Sequence, residues 1–234
     1  MEYKTNNAGI NIINENKKIE IIKSKSLEDI INTDDIINFI SSSFYSIIHN
    51  NKIMKKKQAR VDEPLFSKNV PVLNLNKYLV RIIKYTEIEN NTLIVAYLYI
   101  IKLIKKENFV LGINNVYRLL LGAVVLAKKV LEDIKLYNSY YCDIGGISNK
   151  ELNLIEYNIF TRIDFDVNLK MDDVNKVYVE IFEGLPQSRL EEIFKTININ
   201  NDIFNSNSIN INKEDIKQEE YNNINDNNIN NKEL

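Results

Sequence analysis

The side chains that could do chemistry are few, and their spacing excludes most kinds of it. One cysteine, Cys142, and one histidine, His49, are too small a set of sulfur and nitrogen ligands for a zinc site. A lone cysteine also closes no intrachain disulfide, which fits a reducing compartment, and a buried inert thiol is the expected role. The carboxylates of Glu132-Asp133 are adjacent, and those of Asp164 and Asp166 sit two positions apart. Neighbours at these spacings do not face one another on a helix, so they form no acid/base pair. Gly145-Gly146 lacks the further glycines and the Lys-Ser/Thr of a phosphate cradle and reads as a sharp turn before a helix. Lys52, Lys55, Lys56, Lys57 and Arg60 form a basic patch, read as a solvated linker with a nuclear import signal as the alternative. No nucleophile–base set and no metal cluster is visible. The chain is expected not to be an enzyme and to need no cofactor.

The elements that would carry these residues belong to one domain of ordinary size with flanking segments. Hydrophobic residues make up 44% of the 234, enough for a core. The formal net charge of -2 and the pI of about 5.7 lack the basic excess of a phosphate binder, so no nucleic-acid partner is expected. The longest apolar stretch, Leu93 to Ile101, is too short to cross a bilayer, so no membrane partner is expected either. The first residues lack the apolar core of a secretory signal, so the cytoplasm and/or nucleus is the expected location.

Residues 1–25 are polar and Asn/Lys-rich, and are read as a flexible N-terminus. Ser26 followed by Glu28 and Asp29 resembles a helix start, and Thr33, Asp34 and Asp35 a second one. Ile36, Ile37, Phe39, Ile40, Phe44, Ile47 and Ile48 then recur near helical spacing. A linker follows over 51–72, so 26–64 is an N-terminal helical extension and linker. Helices are predicted over Asn74 to Tyr85, Thr92 to Lys106, Asn114 to Glu132 and Ser148 to Ile163. The third is apolar on nearly every side, the mark of a helix wrapped by others. Ser148 and Glu151 form a capping box. C-terminal helices fill 171–197, one capped by Asp172 or Asp173 and closed by Gly184, the last opened by a capping box of Ser188 and Glu191. Residues 198–234 are Asn-rich without periodicity and are read as a disordered tail. The fold class is all-α.

Five pieces of the chain, in order, carry a resemblance. They are Tyr117-Arg118-Leu119-Leu120-Leu121, Ala127-Lys128-Lys129-Val130-Leu131-Glu132-Asp133, Tyr137-Asn138, Gly145-Gly146-Ile147-Ser148 and Glu151-Leu152-Asn153-Leu154-Ile155-Glu156. Together they resemble the cyclin box of the P/U-type (Pho80-like) cyclins, over residues 65–170. Tyr78-Leu79-Val80-Arg81-Ile82 and Tyr97-Leu98-Tyr99-Ile100 are similar to the first two helices of that box.

The resemblance implies a single cyclin box, a five-helix bundle around a buried central helix with extra N- and C-terminal helices. It implies a regulatory subunit that binds and allosterically activates a cyclin-dependent protein kinase, as a heterodimer. A scaffold or transcription-factor-like protein on a cyclin fold is the alternative. By the same resemblance Lys129 and Glu156 contact the kinase, with Val130, Glu132 and Asp133 beside them. The chain departs from the family pattern at Ile101, where the family has aspartate, at Val130, where it has phenylalanine, and at Tyr141, often a tryptophan.

Overall fold

In the computed structural model the described residues are 26–56, 64–67, 69–107, 109–134 and 136–196. The proposed N-terminal segment 1–25, the tail 198–234, and Lys57 and Arg60 of the basic patch lie outside them. Two compact units are present, divided after Gly184.

In the first unit the described residues are helical and connecting, and no strand is found among them. A short 3₁₀ turn, Leu27–Asp29, precedes α1 (Thr33–Ile53), α2 (Leu75–Thr86), α3 (Asn90–Glu107), α4 (Val116–Leu131), α5 (Asn138–Gly145), α6 (Asn149–Arg162) and α7 (Met171–Glu183). The second unit contains a helix over 187–196, α8.

The central helix is α4. Every residue from Leu119 to Lys128 is buried, as its all-round apolar pattern requires. It packs against α2, α3, α5 and α6, and these five helices make the box that the resemblance implies. The approach to α6 is close. A Cβ on Gly122 would stand 2.5 Å from Ile155 Cγ2 and 2.9 Å from Ile159 Cδ1, so glycine is what lets the two helices meet. Gly122→Val is expected to destabilise the box by about 2–3 kcal/mol through overpacking. A thermal melt checks it, and an unchanged melting temperature would mean that α6 can retreat freely.

Around the box, α1 and α7 cover α3. Phe39 and Phe44 of α1 set their rings against Tyr97 with centroids 5.6 and 5.4 Å away. Val174, Val177, Tyr178, Ile181 and Phe182 form the buried face of α7.

Helix ends show where side-chain chemistry fixes the boundaries. Ser148 and Glu151 make the expected capping box: the Ser148 oxygen accepts from the Glu151 N–H, and the Glu151 carboxylate accepts from the Ser148 N–H at 2.9 Å. The Ser148 bonds, joined by the Arg118 guanidinium, hold the Glu151 carboxyl below the ordinary glutamate range. At other ends the boundary moves. Ser26 makes no side-chain cap bond, and only the 3₁₀ turn follows it. Asn32 rather than Thr33 caps α1, because Asn32 and Asp35 bond reciprocally. The helix then runs to Ile53, slightly into the stretch expected to be linker.

Lys170 rather than Asp172 or Asp173 stands at the cap of α7, and both aspartates lie in its first turn. Gly184 closes α7, with its N–H on Glu180 and Ile181 carbonyls. Ser188 and Glu191 are no capping box: α8 begins before Ser188, with the Arg189 and Leu190 N–H groups on the Pro186 carbonyl. Between α4 and α6 periodicity marked only a turn, where the structure has α5, the fifth helix that the resemblance implies. Gly146 ends it at φ 62, a conformation that favours glycine, and its N–H bonds the Cys142 carbonyl.

Candidate kinase-docking face

Lys129 and Glu156 lie on different helices, and the structure brings them together. Lys129 is in the last turn of α4 and Glu156 is midway along α6. The close approach at Gly122 sets the two helices side by side, and the Lys129 ammonium donates to both carboxylate oxygens of Glu156, at 3.0 and 2.8 Å. Their side chains are 33% and 18% exposed, so the pair is half withdrawn from water but still reachable. Beneath it Tyr141 of α5 is buried. Burial, with the charges of Glu132 and Glu156 adding, pushes its hydroxyl up to about 12.

Beyond Lys129 the chain turns outward. Val130 and Leu131 end α4 exposed, and Ile134 and Tyr137 follow at 77% and 86% exposure. Tyr157, the residue after Glu156, is 62% exposed. Asn138, next to Tyr137, donates from Nδ2 to Asn153 Oδ1 at 2.6 Å and ties this turn to α6. Large apolar side chains close in sequence to this ion pair are thus left exposed. Such a surface can bury apolar area against a partner helix while its charges meet unpaired backbone groups at the helix end.

Of the other expected contacts, Val130 and Asp133 are exposed on this face. Glu132 is not. Its side chain is 8% exposed and pairs with Lys128, 4% exposed, one turn back on α4. Its second oxygen accepts from the Glu89 N–H at 3.1 Å. A carboxylate committed to two internal donors acts as a strut inside the molecule. Ile134, Tyr137 and Tyr157 are surface members that motif matching passed over. Tyr137 lay in the quoted Tyr137-Asn138 piece, but exposure is not written in a motif.

Elsewhere Cys142 is buried and its thiol is pushed up by burial, the expected environment of an inert sulfur. Lys102, one residue past the uncharged Ile101, pairs with Asp166, and Lys106 pairs with Asp164. These contacts hold the turn after α6 against α3. Asp164 and Phe165 take left-handed φ values of 56 and 58° there.

The cyclin family model matches residues 13–167, well over half of the chain. The chain belongs to the cyclin family. Among relatives, this cyclin is 36% identical over 107 residues to Cyclin-U4-3 of Arabidopsis thaliana, covering 45% of this chain and 48% of that one. It is 30% identical over 147 residues to Cyclin-U4-1 of the same plant, covering 61% and 72%. It is 32% identical over 110 residues to the PHO85 cyclin-like protein psl1 of Schizosaccharomyces pombe, covering 46% and 45%. The chain therefore spans about half the length of the first and third of these. Relatives of both kinds make it a cyclin of the P/U type, and cyclins are regulatory proteins.

Proposed function

We propose that this cyclin binds a cyclin-dependent protein kinase as a heterodimer and switches it on, contributing no catalytic group of its own. The observation that carries the reading is the ready-made pairing of Lys129 with Glu156, together with the exposure of Val130, Leu131, Ile134, Tyr137 and Tyr157 in the adjoining sequence. Protein kinases need a lysine–glutamate ion pair between strand β3 and the C-helix. A partner that binds the helix-in state better than the helix-out state shifts the population toward it. Reversing a kinase from mostly off to mostly on takes a differential affinity of about 5.5 kcal/mol. Apolar burial at about 25 cal/mol per Å², less the costs of association, is a sufficient source for a face of this kind.

The test assays cyclin-dependent kinases of the same organism with and without the purified chain, with their activation loops phosphorylated and unphosphorylated. One kinase is expected to gain activity strongly, while the chain alone phosphorylates nothing. Tight binding with no gain under either condition would make the protein a scaffold on a cyclin fold.

A further inference from the structure

We propose that Glu132 is a positioning residue: it holds the docking turn in the shape the kinase meets, without touching the kinase. This rests on reading the Lys129–Glu156 face as the kinase-binding surface. At Glu132 the chain leaves α4 for an extended conformation, φ -107 and ψ 140. The exposed Ile134 and Tyr137 follow, and little burial holds them in place. The turn is fixed at its far end by the bond between Asn138 and Asn153. Its near end is fixed by Glu132, through the Glu89 N–H and the Lys128 ammonium.

The Glu89 N–H is a firm anchor. It lies just before α3, where free N–H groups and the helix dipole favour a carboxylate. That end of α3 is itself tied down from other segments. Thr33 Oγ1 donates to Asn90 Oδ1 at 3.0 Å, Tyr178 donates its hydroxyl to Asn91 Oδ1 at 2.9 Å, and Asn91 Nδ2 donates to Glu28 Oε1 at 2.6 Å. Lys128 gives the arrangement its sensitivity. A buried ammonium left without its carboxylate is strongly unfavourable. It would be driven outward, and it adjoins Lys129 in sequence. The same link joins the 3₁₀ turn, α1 and α7, which lie outside the box, to the docking turn.

Two variants test the proposal against the cognate kinase. E132D keeps the buried charge but shortens the arm, so it cannot reach both donors. It is expected to weaken kinase affinity about tenfold, as loss of a charged hydrogen bond does, and to speed deuterium exchange over 131–137. K128M/E132Q removes both charges and keeps an acceptor of full length for the Glu89 N–H. It is expected to restore most of the affinity and the slow exchange, and it remains informative if E132D folds poorly. Wild-type binding and exchange in E132D would overturn the proposal. So would a loss of binding in K128M/E132Q with exchange still slow, since the carboxylate would then be touching the kinase. Tyr157→Ala run alongside separates the two readings. If it loses binding while E132D keeps it, the face stands and only the positioning role falls. If it binds as the wild type does, the face is misassigned and both fall.

Discussion

Exchanging the two charges, as K129E/E156K, is expected to leave the box folded and to weaken kinase binding about a hundredfold. The ion pair is internal to this chain, so the exchange keeps an attraction between α4 and α6, and the melting temperature should stay close to that of the wild type. What changes is the sign of each charge offered outward. Hydrogen bonds to charged groups are worth about 1.5–3 kcal/mol, and placing like charges together costs more. Single reversals, K129E or E156K, put two like charges side by side and should lower both stability and binding, so the exchange is the cleaner variant. Measurement needs a melt and a titration against the kinase. A folded double variant that binds with unchanged affinity would remove Lys129 and Glu156 from the interface.

The apolar part of the face should matter still more. I134D/Y157A is expected to abolish detectable kinase binding, a loss of about 4 kcal/mol or more, equivalent to a thousandfold. Aromatic residues at the centre of an interface are the usual energetic anchors, and an aspartate placed there must lose its water without gaining a partner. Both side chains are mostly exposed in the free chain, so folding stability should move by no more than about 0.5 kcal/mol. Pull-down of the kinase with a circular-dichroism control checks it. Recovery of the complex at wild-type yield would place the interface elsewhere on the box.

Much of the fold was legible because strong local signals and the global arrangement agree. The all-round apolar run from Leu119 to Ala127 admits only a central position, and Ser148 with Glu151 marks a helix start through a reciprocal bond that needs nothing from the rest of the chain. The failures lie where local signals compete. Asn32, Thr33, Asp34 and Asp35 are all good cap residues, and the pair able to bond each other took the position. Asp172 and Asp173 suit the first turn of a helix as well as its cap, and they occupy the turn. The helix α5 escaped because Tyr137, its cap, makes no side-chain cap bond and its eight residues are too few to establish a period.

For the site, the resemblance supplied Lys129 and Glu156, but not that they meet, since they are 27 residues apart. Lys128 and Glu132 have helical spacing in plain view. Their burial does not follow from spacing, because it is set by how α4 packs and by where α3 begins.

The missing side chain at Gly122 has a consequence for how such a sequence can drift. The space a Cβ would need is filled by Ile155 and Ile159, so positions 122, 155 and 159 share one fixed volume. A lineage can enlarge the first only by trimming one of the others, and Ile155 adjoins the glutamate that pairs with Lys129. Substitutions at these positions should therefore arrive in compensating pairs, and a chain that gains alanine at 122 alone should carry a displaced α6 and, with it, a loosened grip between Lys129 and Glu156.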